Sequence, residues 1–255
     1  MRIYQKYIDL LKIKSEEKHI QRFVAQQLLY MHQEALSRHN PTIVELGVDQ
    51  GQSTKVFLNA IDGKTEATLT SVDIKDCSSA VKCDTWKFIQ SDSKDVGAII
   101  KSNPNIKLGI DILYIDSLHT AKHVYQEIYG FFPFVKNNGV IYFDDIDSGP
   151  YKNGQRKDSV SIEIANRRIF LLLEGIFEAN INYLDFEVIR GSTGLAKFTK
   201  KSNLGDILME PKMIKERNFE YFWKILNLLR LKKNYSHKQG TKDSFLVDPS
   251  SNKYE

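Results

Sequence analysis

An α/β fold is predicted: a doubly wound, seven-stranded, mostly parallel sheet with helices on both faces and an antiparallel last strand. Three observations predict it. Five short segments rich in β-branched and aromatic residues recur along the chain: "TIVEL" (42–46), "LTSVD" (69–73), "KFIQ" (87–90), "DILYI" (111–115) and "GVIYF" (139–143). Segments of helical length, 53–61, 93–102 and 120–135, lie between them, and strands alternating with helices make right-handed βαβ units and a parallel sheet. The strands are apolar almost throughout, as in a sheet covered on both faces.

The remaining elements frame this unit. Residues 1–14 and 15–37 read as helix. In the second, Ile20, Phe23, Val24, Leu28, Met31 and Leu36 recur at near-helical spacing after Ser15 as N-cap, and "RHNP" (38–41) breaks it. After the fifth strand, residues 159–177 form a further apolar helix. "FEVIR" (186–190) and "LAKFT" (195–199), joined by "GSTG", read as a β-hairpin, which completes seven strands. "FEYFWKILNLLRLKKN" (219–234) is an amphipathic helix with a basic end, followed by a polar stretch at 235–255. The expected division is therefore a helical cap at 1–40, a sheet domain at 41–202 and a C-terminal helix and tail at 203–255.

Composition narrows the class. The chain has 255 residues, enough for a sizeable core without a metal or disulfides. Its formal charge of +4 is mild and spread along the sequence, whereas a nucleic-acid binder shows a dense basic patch. Cys77 and Cys83 are not spaced C-x-x-C, so reduced thiols are expected. The first nineteen residues are broken by charges and do not form a signal peptide. No apolar run reaches the ~18 residues of a membrane span. A soluble, cytoplasmic protein is expected.

In an open parallel sheet, ligands bind beyond the carboxyl ends of the strands, so the residues just after each strand carry the information. "ELGVDQGQS" follows the first strand, with three residues between Gly47 and Gly51. It is neither a dinucleotide fingerprint nor a P-loop. It is a tight turn or a ligand cradle, and Ser53 could cap the next helix. Asp73 ends the second strand and suits a ribose diol or a solvated loop. Asp92, in "QSDS", could accept from an adenine amino group or N-cap the helix that follows. The chemistry of Asp49 is open.

Together these residues resemble the class I S-adenosylmethionine-dependent methyltransferases. "VELGVDQGQS", "SVDI" and "QSDS" are similar to their first three motifs, in order and in strand placement, across roughly 42–200. The resemblance implies a Rossmann-like methyltransferase fold that binds S-adenosyl-L-methionine. It implies that Glu45, Gly47 and Gly51, with Ser53, shape the methionine pocket, that Asp73 holds the ribose hydroxyls, and that Asp92 lies near the adenine. Residues 111–146 resemble a metal-dependent subgroup of catechol-type and macrolide-sugar O-methyltransferases. Asn138 and Ala121 depart from its pattern, standing where glycine and tyrosine are common.

Asp116 ends the fourth strand, and Asp144 and Asp145 end the fifth. Adjacent parallel strands lie ~4.8 Å apart, so their carboxylates can converge, and converging carboxylates repel unless protonated or bound to a cation. Oxygen ligands suit Mg²⁺. The resemblance implies that Asp116, Asp144 and Asp145 hold the ion and that His119, three residues past Asp116, takes the hydroxyl proton, with Asp116 also near the methyl donor. The other reading makes the aspartates turn caps and His119 a surface residue at a helix start. The "IDSGPYKNGQRKD" loop (146–158) is a candidate substrate loop, with Tyr151, Lys152 and Arg156 as contacts. The expected activity is metal-assisted methyl transfer to a small polyhydroxylated acceptor, such as a sugar or glycosylated metabolite. The alternatives are a metal-free methyltransferase acting on nitrogen or an isolated hydroxyl, and a non-catalytic cofactor-binding subunit. No "NPPY"-like segment points to nucleic acid. Residues 1–37 could roof the pocket or pair subunits as a homo-oligomer. The tail helix could pack on the core or pair, and less readily lie on a membrane surface.

Overall fold

The computed structural model describes Gln5, residues 19–152 and residues 159–212. Apart from Gln5, the expected helix at 1–14 lies outside the described residues, as do the expected helix at 219–234, Ser15 and Arg156. The described elements are α1 (His19–Ser37), β1 (Thr42–Leu46), α2 (Gln52–Ala60), β2 (Thr68–Asp73), β3 (Trp86–Gln90), α3 (Val96–Ser102), β4 (Ile110–Ile115), α4 (Ala121–Phe131), β5 (Val135–Asp144), α5 (Gly149–Lys152), α6 (Val160–Ala179), β6 (Leu184–Ile189) and β7 (Leu195–Lys200).

The seven strands form one sheet in the order β3-β2-β1-β4-β5-β7-β6. The first five are parallel, and β7 pairs antiparallel with both β5 and β6. Side chains alternate across a strand, so each strand supplies two cores. Val44, Leu46, Leu113, Ile115 and Phe143 pack with Ile99 of α3, Val124 and Ile128 of α4 and Leu173 of α6. Ile43, Ile112, Tyr114 and Tyr142 pack on the other face with Phe57 of α2 and Leu28 and Met31 of α1. Each such side chain contributes ~1.5–3 kcal/mol on burial. Leu28 and Met31 of α1 thus help cover a sheet face, and among the described residues of α1 none lines the cavity described below.

Several element starts differ from the sequence expectation for local reasons. Helix α3 begins at Val96 rather than 93, because Asp95 is the N-cap and accepts from Ala98 N at 3.1 Å. Helix α2 has Gly51 at its cap position, at φ 70°, with no side-chain cap; Ser53 lies inside the helix and does not cap it. Strand β5 starts at Val135 rather than 139, running through an irregularity opposite Ile110 and Ile112. Asn138 sits there at φ 59°, a conformation asparagine tolerates better than most residues, which accounts for its place where glycine is common.

The buried Lys200 fixes the other end of the sheet. Its Nζ donates to the carbonyls of Phe132 and Val135, each at 3.0 Å, and lies 4.2 Å from the Phe132 ring centre. Lys200→Met leaves both carbonyls without that donor. Loss of about 2–4 kcal/mol in urea unfolding is expected, with no change in ligand affinity, since Lys200 sits beside the start of β5, away from the carboxyl ends of the parallel strands. Among the described residues, no helix is long and apolar enough to cross a membrane, and both cysteines are free thiols.

Candidate active site

The strand order reverses between β1 and β4, and a cavity of about 570 Å³ opens beyond the carboxyl ends of these strands. Gly47 forms its floor. Gly47 N donates to Val72 O and Asp116 N to Leu46 O, each at 2.8 Å, so the turn after β1 is stitched to β2 and the end of β4 to the end of β1. Gly47 adopts φ +100°, and a Cβ there would lie 2.0 Å from the Asp116 carbonyl oxygen. Only glycine permits this approach.

Glu45, Gly51 and Ser53 stand behind the cavity rather than on its lining. Glu45 is fully buried. Its carboxylate accepts from Ser53 Oγ (2.6 Å), Thr54 Oγ1 (2.7 Å) and Ser71 Oγ (2.5 Å), tying α2 to β1 and β2. At Gly51 a Cβ would lie 3.1 Å from Ala80 Cβ, in the segment that crosses over the turn. Burial outweighs the three hydroxyls and raises the Glu45 pKa from 4.5 to about 7. The folded chain therefore holds this proton more tightly than the unfolded chain. The resulting stability is present below about pH 4.5 and is lost as pH rises through 7. The difference corresponds to roughly 3 kcal/mol. Glu45→Gln is expected to remove that loss, so its stability relative to the parent rises between pH 5 and pH 8 in urea unfolding. Parallel profiles for the two proteins would mean that Glu45 is ionised throughout.

Asp73 faces the cavity and accepts from the backbone. Oδ2 receives Val48 N (2.9 Å) and Asp49 N (3.3 Å), and Oδ1 receives Lys75 N (2.9 Å). Burial works against its charge, but these three donors hold its carboxyl below the usual range. Asp49, at φ 46°, thus presents its backbone to Asp73 while lining the cavity. Asp92 lines the opposite end, in an ion pair with Lys94 at 2.9 Å that lowers its pKa. It caps no helix.

The three aspartates do not meet at one point. Tyr114 pairs with Tyr142, and Ile115 with Phe143, so Asp116 and Asp144 come next on the same face. The Tyr114 hydroxyl lies 3.0 Å from Asp116 Oδ2 and 3.2 Å from Asp144 Oδ2. Asp145 falls on the other parity, turns out of the strand at φ 57°, and pairs instead with His119 Nδ1 at 2.8 Å. His119 Nε2 is 3.8 Å from Asp116 Oδ1. Burial and the neighbouring carboxylates push Asp116 well up, and Asp144 to about 6. For His119, burial opposes charge, but the hydrogen bond and charge of Asp145, with Asp116 and Asp144, raise its pKa to about 9. Among the described residues, no set of three or more His, Cys, Asp or Glu side chains is arranged to hold a metal ion. The expected three-aspartate cluster is a facing pair with the third carboxylate paired to histidine.

A family model described as a methyltransferase domain matches residues 44–146. The match covers less than half of the chain. No curated protein sequence matches the chain. The MycE methyltransferase from the mycinamycin biosynthetic pathway, solved with Mg and SAH (S-adenosylhomocysteine), aligns with a TM-score of 0.51 at 18% identity over 70% of this chain. The alignment covers 49% of MycE, so this chain spans about half its length. An SAH-bound Podospora anserina methyltransferase aligns with a TM-score of 0.55 at 17% identity, over 74% of this chain and 89% of that one. A candidate caffeoyl-CoA O-methyltransferase from Staphylococcus aureus gives 0.54 at 15% identity, over 77% and 98%. At these identities the likeness establishes the fold.

The structure also brings to the site residues that the strand-end reading missed. Tyr114 was legible only as an apolar strand residue, although it lies two positions before Asp116 and must share its face. Thr193, in "GSTG", donates from Oγ1 to Asp144 Oδ1 at 3.0 Å, so the β6–β7 turn reaches the carboxylate pair. Ile74 and Leu118 line the cavity although 69% and 59% exposed. Ser93, His123 and Ser117 line it too. Tyr151, expected as a substrate contact, is buried.

Proposed function

We propose that this chain moves a methyl group from S-adenosylmethionine to a hydroxyl oxygen of a small polyhydroxylated acceptor, a sugar or glycosylated metabolite, assisted by Mg²⁺. The observation that carries this reading is the facing Asp116–Asp144 pair, with His119 beside it, at one end of the cavity.

The donor would lie along the cavity. Gly47 and Asp49 would hold its methionine end, with Asp116 closing the reacting side. Glu45, Gly51 and Ser53 would support that turn from behind. Asp73 has lone pairs left for the ribose hydroxyls. Ile74 and Leu118 would give apolar faces to the adenine, and Asp92 and Ser93 would take its polar edge. When bound, the donor supplies a sulfonium methyl that an acceptor oxygen attacks in line.

The carboxylate pair fits a hard cation by its chemistry. Burial first, and then the neighbouring carboxylates, raise both pKa values, a cost that a cation would relieve, and Mg²⁺ is commonly held by one or two carboxylates with water or substrate oxygens completing its shell. When bound, Mg²⁺ would supply that charge and lower the pKa of an acceptor hydroxyl. Tyr114 and Thr193 hold the two carboxylates in place. His119 keeps its proton while the carboxylates around it are uncompensated. Once that charge is neutralised, its imidazole can accept the hydroxyl proton at neutral pH. Holding oxygen and methyl in line then does most of the work.

A metal-free reading has one observation in its favour: Asp145 already pairs with His119. Methyl-labelled S-adenosylmethionine, a panel of hydroxylated acceptors, and Mg²⁺ or a chelator separate the two. Label on an ether oxygen, lost with chelator and restored by Mg²⁺, is expected. Label on nitrogen, or transfer indifferent to chelator, would overturn the metal-assisted reading.

A further inference from the structure

We infer that Glu127 is a positioning residue that couples the adenine end of the cavity to the loop carrying His119. The inference rests on reading the cavity as a methyl-donor site.

Glu127 lies on α4 at 0% exposure. Its neighbours on that helix, Val124, Ile128 and Phe131, are core residues, so an apolar side chain would meet the packing demand at 127. A carboxylate there is costly to bury. Its Oε2 is buried and has no hydrogen-bond partner, which adds to the cost. Its Oε1, by contrast, faces two groups. It accepts from Ser117 Oγ at 2.5 Å, and His123 Nε2 lies 3.4 Å away. His123 and Glu127 are four residues apart on one helix face.

These contacts lead to opposite ends of the cavity. Ser117 lies between Asp116 and His119 in the chain. His123 Nε2 is 2.9 Å from Ser93 Oγ, and Ser93 follows Asp92. The segment 116–120 is pinned at Asp116 N by Leu46 O, and at Thr120, whose side chain caps α4. The bond from Ser117 to Glu127 restrains what lies between, including His119. One oxygen therefore joins the Ser93 wall to the His119 loop through Ser117 and His123. A donor that presses on Ser93 would be felt at His119, and the reverse.

The test is calorimetric titration of SAH into the full chain carrying Ser93→Ala, Ser117→Ala, both, Glu127→Leu or Glu127→Gln. Glu127→Leu is expected to weaken SAH binding about 10-fold. Glu127→Gln should recover binding to within about threefold, because its amide oxygen still accepts from Ser117. The combined Ser93→Ala and Ser117→Ala effect should differ from the product of the single effects by at least about threefold. Unchanged affinity in Glu127→Leu, no rescue by Glu127→Gln, or multiplicative serine effects would overturn the inference. If Glu127→Leu fails to fold, the serine cycle alone decides. A parent chain that binds no SAH would instead defeat the donor-site reading on which the inference stands.

Discussion

Gly47→Ala is expected to abolish SAH binding, with affinity falling by at least about 100-fold. Two costs coincide at this position. The φ of +100° is disfavoured for any side chain, and the new Cβ would lie 2.0 Å from the Asp116 carbonyl oxygen and 2.6 Å from its carbon. Both atoms are backbone, so no rotamer change relieves the clash. The turn must move away from β4, breaking the pairing of Gly47 N with Val72 O or of Asp116 N with Leu46 O. Gly63→Ala provides the control. Its φ is +77° with nothing within 4 Å of a new Cβ, so it carries backbone strain of about 1–2 kcal/mol and no clash. Calorimetry and thermal melting on both variants separate donor-site damage from strain. Normal SAH binding by Gly47→Ala would remove the turn from the donor site.

Asp144→Ala is expected to lower kcat by about 10²–10⁴ while SAH affinity stays within about threefold. Asp144 does not line the donor cavity. Its carboxylate accepts from Thr193 Oγ1 and Asp145 N and faces Asp116 across the Tyr114 hydroxyl. Removing it takes away half of the facing pair and leaves the donor lining in place. A Mg²⁺-dependent rise in melting temperature is expected for the parent and not for Asp144→Ala. Full activity in Asp144→Ala, together with insensitivity to chelator, would rule out the metal-assisted route.

Much of this architecture was legible because strand ends are short-range signals. Apolar runs separated by helical lengths locate β1 to β5, and the doubly wound order then brings Gly47, Asp73, Asp92 and Asp116 to one cavity. Side-chain direction was harder. Asp144 and Asp145 are adjacent, and neighbours on a strand point to opposite faces, so one of them had to leave the presumed cluster. Parity in "YFDD", applied with parity in "LYID", would have joined Tyr114 to Asp116 and Asp144 and left Asp145 aside. Ser53 read as a helix cap because its partner, Glu45, becomes visible only once α2 is laid on β1. The contacts from Thr193 to Asp144 and from Glu127 to Ser117 are tertiary, and no local pattern in "GSTG" or "YQEIYG" announces them.

The central claim is that the cavity between β1 and β4 holds the methyl donor. Titration of SAH into the full chain, followed by calorimetry, tests it most directly. One site per chain with a Kd of about 1–100 μM, lost in Gly47→Ala and retained in Asp144→Ala, is the result predicted. No heat of binding and no thermal shift at millimolar SAH would contradict it.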